Sequence, residues 1–202
     1  MTRFFLTIDY LIEQSLDGRD LIFDLDDTLY PEMDFLSLAY RNISKLVSEP
    51  EQSSVYYFLV NTFKNEGREK LLDKLCCHFK HENLTLEKCL SILRSTSCKG
   101  CLETYFWLKK FLHYTSVKRL RIITNGTVAQ QQNKIVSINW DATVIEVVYA
   151  DMYAPKPDPT SFYQLKDWQI LNSPIYVGDS FVDSKFAENV GIEFYDAKEL
   201  LS

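Results

Sequence analysis

The sequence predicts an α/β protein: a parallel sheet covered on both faces, interrupted by a helical insertion. Three observations predict it. After Val117, short apolar runs alternate with helical patterns, the signature of parallel strands joined by crossover helices. From about 34 to 115 the apolar residues recur at three- and four-residue intervals with scarcely any strand signal. Before that stretch stands one strand-like run, LIFDL at 21–25, with no partner nearby in sequence. That run completes a sheet only by joining the later strands, so the helical stretch is an insertion within one core.

The elements follow in chain order. MTRFFLTIDYLIEQSL places Phe4, Ile8, Leu11 and Ile12 at helical spacing, which predicts an amphipathic helix within 1–17 that packs on the core. Asp9 and Glu13 break any apolar h-region and no small-residue cleavage site follows, so it does not read as a signal peptide. Its polar face is not basic, so it does not read as a membrane-surface helix either. LIFDL is a buried strand. FLSLAYRNISKLV, VYYFLVNTFK, REKLLDKLCCHF and LEKCLSILR are helices of the insertion, punctuated by Pro50, Gly67, Asn83 and Gly100. LETYFWLKKFLHYT, from 102, is a further helix. RLRIIT (119–124), VIEVVYA (144–150), PIYVG (174–178) and IEFYD (192–196) are strands. VAQQQNKIVSI, PTSFYQLKDW and DSKFAENV are the helices between them. The domain layout is residues 1–17 as an N-terminal helix, 18–32 and 116–202 as the core, and 33–115 as the insertion.

Charge and cysteine content narrow the function classes. A formal net charge of −6 argues against a broad nucleic-acid footprint, and no run approaches the roughly 18 apolar residues that span a bilayer. The five cysteines, with no export signal, fit reduced thiols in a cytoplasm. Cys98 and Cys101 form a lone CxxC; Cys76, Cys77, His78, His81 and Cys89 lie upstream without the two clean ligand pairs of a zinc site.

Chemistry concentrates at the predicted strand ends, where open parallel sheets bind ligands. FDLDDTLYP crowds Asp24, Asp26 and Asp27 into four positions. Each carboxylate raises its neighbours' pKa unless a cation or water relieves the repulsion. Asp24 and Asp26, two apart, lie on the same side of an extended chain. Asp27 points elsewhere and is expected to accept backbone hydrogen bonds in the turn. Thr124-Asn125-Gly126, Lys156 and Gly178-Asp179-Ser180 with Asp183 follow the later strands. Each cluster alone has a bland reading as a turn or helix start; their joint position on one sheet edge gives them weight.

DLDDT, ITNG, KPDP and GDSFVD, in that order, resemble the four motifs of the haloacid dehalogenase-like (HAD) superfamily of aspartate-nucleophile hydrolases. The match covers about 20–30 and 118–197. The helical insertion resembles the family's C1-type cap. The resemblance implies a Rossmann-like parallel-sheet core with an inserted α-helical cap domain, and a two-step phosphoryl transfer. Asp24 would attack phosphorus, and Asp26 would protonate the leaving oxygen and then activate water. Thr124, Asn125 and Gly126 would bind the phosphoryl group, the last two through backbone N–H groups. Lys156 would be a point charge on the phosphate and on Asp24. The implied cofactor is Mg²⁺, with Asp24, Asp26 (through its backbone carbonyl), Asp179 and Asp183 as the metal set; Asp183 would hold metal-bound water or Lys156.

Asp26 separates branches of the family: a halide leaving group needs no proton, so an acid at that position favours phosphate chemistry. The expected activity is Mg²⁺-dependent hydrolysis of a small phosphorylated metabolite, a nucleotide or sugar phosphate. Nucleic acid and membrane are not expected partners, and the chain is expected to be a monomer or homodimer. A phosphosugar mutase of the same design and a non-catalytic binding module that kept the fold are the alternatives. Substrate choice is expected in the cap, where Arg41, Lys45, Lys64, Arg68, Lys74 and His78 are the candidate contacts, each also readable as part of a solvated helix face.

Overall fold

A computed structural model describes residues 8–115, 119–141 and 143–201. Its centre is a five-stranded, all-parallel sheet in the order β5-β3-β1-β6-β7. The strands are β1 (Leu21–Phe23), β3 (Arg119–Thr124), β5 (Thr143–Tyr149), β6 (Ile175–Gly178) and β7 (Glu193–Asp196). From β1 the chain builds outward through β3 and β5, then returns to β1's other side with β6 and β7. The reversal leaves a crevice beyond the carboxyl ends of β1 and β6, where such sheets receive ligands. The early strand pairs with both later halves: Ile22 opposite Arg121 and opposite Tyr176.

Alternation along β1 sorts its side chains to two faces. Ile22 joins Ile123, Val148, Tyr176, Phe162 and Phe186. Leu21 and Phe23 join Leu120, Ile122, Ile175 and Val177 on the other face. That second face is covered by α6 (Phe106–Tyr114): Trp107 and Phe111 lie 6.3 and 6.5 Å, ring centre to ring centre, from Phe23. The N-terminal helix α1 (Ile8–Leu16) buries Leu11 completely and stacks Tyr10 on Tyr195. Residues 1–7, including the predicted helical position Phe4, lie outside the described residues.

Between β1 and α6 come α2 (Glu32–Ser44), α3 (Glu51–Glu66), α4 (Leu71–Phe79) and α5 (Leu86–Ser95). They pack through Phe35, Ile43, Val55, Leu59, Leu75 and Cys89, each fully buried. The helix α7 (Val128–Ser137) follows β3, and α8 (Phe181–Val190) follows β6. No helix among the described residues is long and apolar enough to cross a membrane.

Two expectations need correction. PTSFYQLKDW is not an α-helix but two 3₁₀ segments, Pro159–Gln164 and Trp168–Ile170. Its buried apolar side chains, Phe162 and Leu165, are three apart, a spacing that three-residue turns satisfy, and Asp167 between the segments has φ 60°. The helix expected from 102 begins only at Phe106. Leu102–Glu103 instead forms β2, pairing in parallel with β4 (Ile138–Asn139); two-residue strands are too short to leave a periodic signal.

Candidate active site

The strand ends deliver the clustered carboxylates to one cleft of about 270 Å³ lined by Asp24, Asp26, Asp27, Arg68, Thr124, Lys156, Asp179 and Asp183, among others. Asp24 extends β1 by one residue, its N–H bonded to the Val177 carbonyl (2.9 Å). Asp27 has φ 53° and its Oδ1 accepts the Glu32 N–H (2.9 Å), the turn role expected of it.

Lys156 is the hub. Its buried Nζ donates to Asp24 Oδ1 and Asp183 Oδ1, each at 2.6 Å, and to the Tyr176 hydroxyl at 2.9 Å. Burial alone would lower the ammonium's pKa; Asp24, Tyr176 and Asp183 outweigh it and hold it well above the usual value. The Asn125 side chain clamps the Lys156 backbone, accepting its N–H (2.8 Å) and donating to its carbonyl (3.0 Å). Asp183 is fixed by a capping box at the start of α8, where Ser180 Oγ and N–H donate to its Oδ2 (2.5 and 3.1 Å). Gly178 makes room for this: a Cβ there would stand 2.6 Å from Asp183 Cβ.

Asp26 has a separate setting. Tyr30 donates to its Oδ1 (2.7 Å), and Lys134 (2.6 Å) and Gln131 (3.1 Å) to its Oδ2. Burial would raise its pKa, but Lys134 first, then Tyr30 and Gln131, hold it below the usual carboxylate value. Gln131 also donates to Thr124 Oγ1 (2.6 Å). Lys134 bonds a second carboxylate, Glu32 (3.0 Å), which in turn accepts from Arg68 (2.7 Å).

The structure brings together Asp24, Asp26, Thr124, Asn125, Lys156, Asp179 and Asp183 in the cleft lining. Gly126 is the exception. Its N–H, expected to face the anion, donates to Asp151 Oδ1 (2.9 Å), and it does not line the cleft; its φ of 118° turns the chain into α7. Of the cap candidates, Arg68 alone is among the lining residues. Lys74 pairs with Glu66, Lys45 with Asn42, Arg41 lies over Tyr56 and His78 stacks on Phe58.

A family model described as haloacid dehalogenase-like hydrolase matches residues 21–197. The chain belongs to this family. Solved structures share the HAD fold at low identity. A Bacillus subtilis protein, YfnB, described as a HAD-hydrolase bound to magnesium, is 18% identical with a TM-score of 0.56, covering 87% of this chain and 85% of that one. A Lactobacillus plantarum protein described as a phosphoglycolate phosphatase is 15% identical, with TM-score 0.51 and coverage of 90% and 86%. A dehalogenase is 15% identical, with TM-score 0.52 and coverage of 88% and 84%. The curated proteins contain no match.

The donor set suits a hard divalent cation. Asp24, Asp179 and Asp183 each offer a carboxylate oxygen, and these lie within 4.8 Å of one another, the oxygen chemistry Mg²⁺ prefers. Lys156 bonds two of the three; Asp179 faces the exposed Lys198 ammonium at 3.9 Å. Burial, with Asp183 and Asp26 adding to it against Lys156, pushes Asp24 up to about 7. Burial, Asp183 and Asp27 push Asp179 up to about 6. Burial leads both shifts and the neighbouring carboxylates add to them; a bound cation would offset both.

Sequence reasoning missed Lys134, Gln131, Tyr30, Glu32 and Tyr176. On α7 the buried residues are Gln131, Lys134 and Ser137, whereas Val136 is 54% exposed. A polar stripe faces inward there, the reverse of what hydropathy predicts. The available signal was the spacing itself: Gln131, Lys134 and Ser137 at three-residue intervals on the helix that follows Thr124.

Proposed function

We propose that this HAD hydrolase is a phosphomonoesterase that works through an aspartyl-phosphate on Asp24. The observation that carries this is Asp26: a second carboxylate stands in the same cleft as Asp24, held by three donors. Displacement of a halide needs no proton; loss of an alkoxide does.

Asp24 is the nucleophile. Lys156 anchors its Oδ1 and orients the other oxygen for attack. Thr124 and the Asn125 backbone meet the phosphoryl oxygens, and Lys156 contributes fixed positive charge beside them. Asp24, Asp179 and Asp183 would hold Mg²⁺, with the Asp26 carbonyl completing the protein set. When bound, the metal supplies the charge that offsets repulsion between a carboxylate and a phosphate dianion. The bonds from Lys134, Tyr30 and Gln131 favour ionised Asp26, the form needed to activate water in the second half-reaction. For the first half, Asp26 would give the leaving oxygen a proton taken up beforehand from solvent, and in the second half it would take one back from the attacking water.

The test is inorganic phosphate release from an aryl phosphate, measured beside halide release from a 2-haloacid, with Mg²⁺ or with chelator. Phosphate release that needs Mg²⁺ and is lost in Asp24→Asn is expected. Halide release without phosphate release would overturn the proposal.

A further inference from the structure

We propose that Arg68 recognises a second anionic group, carboxylate or phosphate, on the leaving group of the phosphomonoester. This rests on the phosphatase reading and adds a substrate class to it.

The cleft is lined by five carboxylates and two cations, Lys156 and Arg68. An ammonium has three donors, and all three of Lys156's are used, by Asp24, Asp183 and Tyr176. Lys134 stands behind the cleft wall, its side chain 1% exposed, spent on Asp26 and Glu32. Arg68 differs from both. Its side chain is 73% exposed, and among the described residues its one hydrogen-bond partner is Glu32. A guanidinium carries five donors in a planar fork, so most of the fork is uncommitted.

The fork is also aimed. Arg68 lies in the turn between α3 and α4, bracketed by Gly67 (φ 76°) and Lys70 (φ 53°). That turn carries it back to Glu32 at the start of α2. Glu32 is buried, and its other oxygen is held by Lys134, so the anchor is itself fixed. Tied at 2.7 Å to a fixed, buried carboxylate, the exposed guanidinium is oriented where it lines the cleft. It lines the same cleft as Asp26, the residue that the phosphatase reading sets against the leaving group. On that reading the transferring phosphoryl would meet Asp24 and Thr124. Arginine's fork matches carboxylate or phosphate in two parallel bonds.

The experiment uses three two-carbon phosphate esters that differ only at the far end: hydroxyl (2-hydroxyethyl phosphate), carboxylate (phosphoglycolate) and phosphate (ethanediol bisphosphate). The readout is the ratio of kcat/KM for each anionic ester over the neutral one, in wild type, Arg68→Met and Arg68→Lys, with Mg²⁺. A ratio on the order of 10- to 100-fold is expected for at least one anionic ester. It should fall towards one in Arg68→Met and recover in part in Arg68→Lys. The ester with the larger ratio identifies the group. A wild-type ratio near one, or a ratio unchanged by Arg68→Met, overturns the proposal. Calorimetric binding of the same esters to Asp24→Asn, with and without Arg68→Met, separates the two claims. A binding preference lost with Arg68 but unaccompanied by turnover in wild type would sink the phosphatase reading and leave the anion site standing; equal binding of all three esters would remove the site.

Discussion

Lys134→Met removes the ammonium that separates the buried Glu32 from the partly buried Asp26. In the native protein Nζ lies 2.6 Å from Asp26 and 3.0 Å from Glu32, with a side chain 1% exposed. Glu32 keeps Arg68 as a partner; Asp26 keeps Tyr30 and Gln131. Breaking a buried ion pair by deleting one member costs about 3–5 kcal/mol, because the remaining charge has lost its compensation. The orphaned carboxylates respond by taking up protons, so the loss should be larger at pH 8 than at pH 5. Urea unfolding followed by circular dichroism at the two pH values measures it. Lys134→Met combined with Glu32→Gln should recover part of the loss, since one of the two uncompensated charges is gone. A loss under about 1 kcal/mol at pH 8, or no recovery in the double variant, would show that the ammonium does not hold these carboxylates.

Two further outcomes follow from the carboxylate cluster. Asp24 and Asp179 are pushed up, to about 7 and about 6, so the folded protein binds their protons more tightly than the unfolded chain does. Their stabilising contribution is therefore present in acid and lost as pH rises through those values. Thermal melts without divalent cations should show stability falling from pH 5 to pH 8, and Mg²⁺ should raise Tm more at pH 8 than at pH 5; an equal rise at both would contradict the assignment. Gly178→Ala places a methyl 2.6 Å from Asp183, which forces Asp183 and with it Lys156 to move. A cost of about 1–3 kcal/mol and a weakened Mg²⁺ response in the same melts are expected; an unchanged response would place the cation elsewhere.

The sheet was legible because its strands are apolar and bounded by turn residues. All five expected strands appear within one to two residues of their sequence limits. The insertion's helices were equally plain, since each carries an apolar face. The site's inner ring was legible too: Asp24, Thr124, Lys156 and Asp183 stand at strand ends or just beyond, where short polar strings interrupt apolar ones. The layer behind it was not. Lys134 and Gln131 occupy the inward face of α7 as polar residues, and hydropathy sends such residues to solvent. Glu32 is the second residue after Tyr30 in a string that reads as an ordinary helix start. Only the fold brings Arg68 to it, across 36 residues of sequence. Gly126 shows the opposite error. Its backbone N–H looked free at a helix start, yet Asp151, from the loop after β5, takes it.

The most direct test is to catch phosphate on Asp24. An aryl leaving group departs without needing a proton, so Asp26→Asn should pass the first step and stall at the second. Rapid acid quench of Asp26→Asn with Mg²⁺ and an aryl phosphate, followed by peptide mass spectrometry, should locate a phosphoryl group on Asp24 at close to one per protein. Phosphate on any other residue, or phosphate release with no covalent adduct at any quench time, would contradict nucleophilic attack by Asp24.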